Sequence, residues 1–139
     1  MKRILAAVVF SIVSSIASSN ALAQGYGVQA KVPFDFTVSN HTLPSGTYRI
    51  TSPATGLVRI ESSDGRISTT AMSTYRGNES KGGCMLVFQK YGDLYFLHQV
   101  LSPTQFSLNV TIPPSKLEKR VQHQEASMKQ AEQIQIAAR

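Results

Sequence analysis

Hydrophobic and polar residues alternate strictly along 28–39. Val28, Ala30, Val32, Phe34, Phe36 and Val38 fall on one side, and Gln29, Lys31, Pro33, Asp35, Thr37 and Ser39 on the other. A period of two over this length is that of a strand with one buried face. Pro33 has no N–H to give to a ladder, which puts the strand at an edge or bulges it near that residue. Asn40-His41 tolerates positive φ and begins a turn. Leu43-Pro44-Ser45-Gly46 fits a type I turn, with Pro at its second position and Gly at its fourth. Residues 47–52 are then the return strand. In that hairpin Val38 lies opposite Tyr48 and Phe36 opposite Ile50. Thr37 faces Arg49, and Asp35 is diagonal to that arginine, within reach of a surface ion pair.

Turn chemistry divides the next stretch. Pro53-Ala54-Thr55-Gly56 precedes a short strand at 57–61. Asp64-Gly65 supplies the positive φ of a hairpin connection, and 66–74 follows as a strand rich in β-branched residues. Residues 75–83 are the most polar stretch and read as an exposed loop, the first place to look for a binding loop.

Residues 84–91 and 94–101 are the most apolar pair, joined by Gly92-Asp93. A two-residue loop there pairs Phe88 with Leu97, Val87 with His98 and Leu86 with Gln99. Leu86, Phe88, Tyr95, Leu97 and Leu101 form one face; Met85, Val87, Leu94, Phe96 and Val100 form the other. A strand apolar on both faces is buried on both, so this hairpin belongs at the centre. Phe106, Leu108, Val110 and Ile112 alternate as a last strand, which Pro113-Pro114 stops. Ser115-Lys116-Leu117-Glu118 is a capping box, and 116–137 reads as helix. Its apolar stripe is thin: Leu117, Val121, Met128 and Ala131. Its first half would cover the outer face of the central hairpin.

These elements predict a mainly β protein, an antiparallel β-sandwich or partly closed barrel of about seven to eight strands with a C-terminal α-helix. The N-terminus is set apart. Lys2 and Arg3, an apolar run and Ala21-Leu22-Ala23 match a secretory signal. The run is shorter than the roughly 20 residues of a spanning helix. The expected organisation is a signal peptide at 1–23, an antiparallel β domain at 24–112 and a C-terminal helix or tail at 113–139. The product is periplasmic or extracellular, with no transmembrane segment after cleavage. Cys84 is the only cysteine, so no internal disulfide exists and no lipid-bearing cysteine follows the signal. Lys2 and Arg3 leave with the signal, so 12 of the 14 Lys and Arg remain against 8 Asp and Glu, a net +4. The charges are scattered, which fits solubility better than an anionic partner.

Three blocks carry a resemblance. Val32-Pro-Phe-Asp-Phe-Thr-Val38, Leu43-Pro-Ser-Gly-Thr-Tyr48 and Leu86-Val-Phe-Gln-Lys-Tyr-Gly-Asp-Leu-Tyr-Phe-Leu97 resemble a family of small exported β proteins of acidobacterial type. Its members similarly carry a Ser-x-x-Glu helix start, matched by Ser115 and Glu118. The resemblance covers most of the mature chain. It implies an exported bacterial β domain and no particular activity, cofactor or site residue.

Candidate chemistry is sparse. Cys84 begins a hydrophobic strand without a companion histidine motif, so it reads as a buried or half-buried thiol; with no internal partner it is also open to an intermolecular disulfide. His41, His98 and His123 fall on a turn, a strand and a helix, and would bind metal only if they converged. Asp35, Glu61, Asp64, Glu79 and Asp93 mostly sit in turns. Asn40, Asn78 and Asn109 begin glycosylation triplets, which matter only in a host that glycosylates. Aromatic and basic residues are not interleaved as a nucleic-acid platform requires. No catalytic, cofactor or metal residue is assigned. The expected function is a non-enzymatic envelope or extracellular module. It would act through its polar first strand, the 75–83 loop or the C-terminal helix, with a homodimer among the outcomes. A carrier of a small apolar ligand inside a barrel is the alternative, and a small hydrolase using His98 or Cys84 a third reading.

Overall fold

The computed structural model describes residues 27–77, 82–103, 108–125 and 131–139. The signal expected at 1–23 lies outside the described residues, as do Phe106, Met128 and the 78–81 part of the polar loop.

Val28, Ala30 and Val32 turn inward on β1 (Gly27–Val32), and all three are buried. The alternation does not continue as one strand. After Val32 the chain crosses to a second sheet, where Phe36–Val38 forms β2. Ser39, at φ 56°, and Asn40 fold β2 back on β3 (His41–Leu43). His41 is therefore a strand residue, not a turn residue. β4 (Gly46–Ala54) pairs antiparallel with β1, placing Val28 opposite Ile50, Gln29 opposite Arg49 and Ala30 opposite Tyr48. This corrects the expected register: Ala30 and Val28 take the places expected for Val38 and Phe36. It also separates the expected Asp35–Arg49 pair. Asp35 instead accepts the Ser45 N–H at 2.8 Å, while the Tyr48 hydroxyl donates to the Pro44 carbonyl at 2.6 Å. Both bonds pin the crossover.

β5 (Leu57–Ser62) and β6 (Ser68–Met72) complete a sheet ordered β1-β4-β5-β6. Gly65, at φ 71°, supplies the left-handed residue expected of the Asp-Gly connection. The other sheet holds β7 (Thr74–Tyr75), β8 (Cys84–Tyr91), β9 (Leu94–Leu101), β10 (Val110–Thr111) and β11 (Glu132–Ala138), ordered β11-β8-β9-β10-β7. β2 joins it in parallel at Thr37 and Phe96. Two narrow seams connect the sheets. Gln29 and Arg139 exchange both backbone hydrogen bonds, at 2.7 and 2.8 Å, so β1 meets β11. β6 passes through Ser73 directly into β7 and so changes sheets. The protein is mainly β, a curled sheet forming a half-barrel, with 11 strands and one C-terminal helix among the described residues.

The interior is aromatic. Phe36 meets Tyr48 and Phe88 edge-on at 5.1 and 5.4 Å. Phe34, on the crossover, meets Phe88 edge-on at 5.2 Å and stacks on Tyr95 at 3.9 Å. Tyr48, Ile50, Val58, Ile60, Leu86 and Val100 fill the space around them. Burying each such side chain contributes about 1.5–3 kcal/mol, and edge-on aromatic pairs add about 0.5–1.5 kcal/mol. β8 and β9 form the expected central hairpin, with Phe88 opposite Leu97. One register step then slips: Val87 faces Gln99 and Leu86 faces Val100, leaving His98 as the extra residue of a bulge. The slip turns Val100 into the core in the place expected for Leu101.

The helix α1 (Lys116–Glu125) starts at the expected capping box, with the Glu118 N–H donating to Ser115 Oγ at 3.1 Å. Its described part is Lys116–Glu125, and Glu132–Ala138, expected to continue it, is strand. The chain returns as β11, pairing Ile134 with Phe88 and Ile136 with Leu86. Gln and Ala favour helix, but the period of two in Gln133-Ile134-Gln135-Ile136 sets one face against the core and wins here. Ile134, Ile136 and Ala138 pack on the core, and the backbone satisfies what would otherwise be a bare edge of β8. Ile136→Ala should therefore lower stability by about 1–2 kcal/mol, about half the fully buried cost because Ile136 is half-exposed. Gln135→Ala, on the outward face, should change it by less than about 0.5 kcal/mol. Urea denaturation checks both.

Candidate functional site

The polar side chains that carry chemistry lie outside the aromatic interior, in separate places. The densest group sits where the end of β9, the start of β8, β7 and β10 meet. Cys84 Sγ lies 3.5 Å from Ser102 Oγ. The Ser102 N–H donates to Asn109 Oδ1 at 2.9 Å, and the Arg76 N–H donates to the Asn109 carbonyl at 2.8 Å. Ser102 and Asn109 are buried. Asn109 thus joins two chain segments, a role its place in a glycosylation triplet did not suggest. Its alternation in 106–112 already put it opposite the core-facing residues.

His98 stands on the β9 bulge. Its carbonyl accepts the Ile112 N–H at 2.8 Å, and its Nδ1 is buried without a hydrogen-bond partner. Burial pushes its pKa down, and the Arg76 charge pushes it further the same way. Cys84 has a hydroxyl as its hydrogen-bonding neighbour, and a hydroxyl is not a base that makes thiolate. His41 is exposed on β3 and His123 exposed on α1, so the three histidines occupy three elements. Among the described residues, no group of three His, Cys, Asp or Glu is placed to hold a metal ion.

The carboxylates take local partners. Asp64 accepts from the Ser62 hydroxyl and from the Arg66 N–H, and its pKa is lowered chiefly by that hydroxyl. Glu132 pairs with Lys90 at 3.3 Å, which raises the lysine's pKa, and Lys90 lies 5.8 Å over the Tyr95 ring. Glu118 is different. It is 5% exposed, the buried residue of α1, whereas Leu117 is 42% exposed. The expected stripe through Leu117 is rotated, so that Glu118 and half-buried Val121 face inward. Burial raises the Glu118 pKa, and the Ser115 backbone bond opposes that. The reciprocal cap explains why a carboxyl occupies this position.

α1 packs on β8. The outward face of the central hairpin is buried at Val87, Tyr91 and Phe96, the last two edge-on at 5.8 Å. Tyr75, assigned to the polar loop by sequence, belongs to β7 and is exposed with Arg76 and Gly77. No described helix is long and apolar enough to cross a membrane. The fold defines a mainly β protein of half-barrel form. No protein-family model, curated protein or solved structure gives a match to the chain.

The lowered His98 pKa gives a signed prediction. The unfolded chain takes up a proton near pH 6.5 and the folded chain only below that. Stability that depends on neutral His98 is then fully present above about pH 6.5 and falls as the pH drops toward the native value. Melting temperatures between pH 5 and 7.5 should show this slope in the wild type and a flatter one in His98→Gln.

Proposed function

We propose that the protein is exported and that its mature chain is a non-enzymatic β module, working by surface contact in the periplasm or outside the cell. The observation that carries this reading is the half-barrel interior. Phe34, Phe36, Tyr48, Phe88 and Tyr95 interlock there, while Cys84 meets the Ser102 hydroxyl, His98 sits on the β9 bulge and His41 and His123 are exposed on β3 and α1, so these groups do not converge. Binding sites for small molecules are usually concave and carry a few convergent polar groups. The secretory pattern at 1–23 and the resemblance to small exported bacterial β proteins support the export half of the reading.

The test has two arms. Expression of the full chain in a bacterial host, followed by fractionation and intact mass measurement, should yield a product starting at Gln24 outside the cytoplasm. Retention of residues 1–23 on a cytoplasmic product would overturn export. The purified product should also release no apolar small molecule on denaturing mass spectrometry and hydrolyse no ester or peptide in a substrate panel. A stoichiometric apolar ligand, or a hydrolysis abolished by Cys84→Ala or His98→Ala, would overturn the non-enzymatic contact reading.

A further inference from the structure

Residues 68–75, Ser-Thr-Thr-Ala-Met-Ser-Thr-Tyr, contain no charge, Pro or Gly. Their backbone looks two ways. The Ile67 carbonyl accepts the Ser62 N–H, and the Ser73 N–H donates to the Gly56 carbonyl, so the odd residues 67–73 address β5. The Arg76 N–H donates to Asn109, and Thr74 pairs with Thr111, so the even residues address β10. One further step of that ladder sets Met72 against Pro113, which has no N–H, with Pro114 behind it. The ladder stops there. Ser68, Thr70 and Met72 are left with amides and carbonyls pointing away from β5, and among the described residues β5 is the only hydrogen-bonded neighbour of β6.

Edges of this kind are normally blunted by a charge, a proline, a bulge or shortness. β6 has none of these. The other end strands among the described residues are β1 and β11, which meet each other at Gln29 and Arg139, and β3 and β7, which have three residues and two. The side chains beside the open edge are exposed, Met72 at 74% and Tyr75 at 69%.

We infer that β6 is a docking edge for a second copy of this chain, the two β6 strands pairing antiparallel about a twofold axis at Thr70. The register is its own complement. Thr70 faces Thr70, and Ser68 faces Met72 twice, all as hydrogen-bonded pairs, so each outward amide and carbonyl finds a partner. Arg66 falls opposite Thr74 and Tyr75 comes to Gly65, so no like charges meet. An interface that uses the same patch on both copies closes as a dimer. A foreign peptide would need a matching uncharged pattern from elsewhere, whereas a second copy brings it. The inference rests on the surface-contact reading only in naming the surface and one occupant.

Sedimentation of the secreted full-chain product in the micromolar range should show a dimer. Thr70→Pro removes an outward amide without touching the β5 ladder. It should weaken association roughly tenfold to hundredfold, two hydrogen bonds being lost per dimer, with the melting temperature of the monomer kept. Thr70→Lys sets like charges across the twofold and should give monomer, and mixing it with Thr70→Glu should restore a heterodimer. Should Thr70→Pro fail to fold, the charge pair still decides. A monomeric wild type, a dimer indifferent to these substitutions, or a Lys/Glu mixture that does not associate would overturn the inference. None of these results touches the non-enzymatic reading, and a discovered hydrolysis would leave the dimer standing.

Discussion

One hydrophobic alternation is divided between two sheets after Val32, and the half-barrel depends on that division. A chain that kept its ladder through 28–38 would lay Phe34 and Phe36 on the same sheet as Val28. Val32 opposite Gly46 is the last pair of the β1–β4 ladder, because the next hydrogen-bonded pair would set Phe34 against Pro44, which has no N–H. The Asp35 and Tyr48 side chains then hold the neighbouring turn by their bonds to Ser45 and Pro44. Phe34 and Phe36 are carried into the space between the sheets, where they meet Tyr48, Phe88 and Tyr95. The crossover therefore places the aromatic core.

The same demand for paired backbone groups explains the far end of the chain. β8 is apolar on both faces, so its outer edge would be a poor surface to leave open. β11 covers it with the residues that best fit a half-buried strand, Ile134 and Ile136. Arg139, directly after it, then reaches Gln29 and joins the two sheets. At the opposite seam Pro113-Pro114 has the reverse effect, ending β10 and leaving part of β6 unpaired. The Gln29–Arg139 pair closes one side, and the prolines after β10 leave the open edge on the other.

Side-chain chemistry is fitted to this frame. Glu118 is buried because it caps its own helix. Asn109 is buried because it carries the bond to Ser102. His98 sits on the bulge that brings Val100 inward, and its unpartnered Nδ1 is a cost of that geometry. Each of these polar groups is accounted for by a local structural role, which is why they do not gather into one site.

The chain's own pattern determined the strand-rich class, the central hairpin at 84–101, the Asp-Gly and Gly-Asp turns, and the helix start at Ser115, because each depends on neighbours close in sequence. The Gln-Ile repeat at 133–136 was equally legible as a strand, but the surrounding helix formers outweighed it. Tertiary structure alone decided which strand opposes Tyr48, the one-residue slip at His98, the partner of Asp35 and the inward turn of Glu118. These choices compare distant segments competing for the same backbone donors and the same buried volume. A period of two shows that a strand has an inner face, but it does not name the sheet that face will cover.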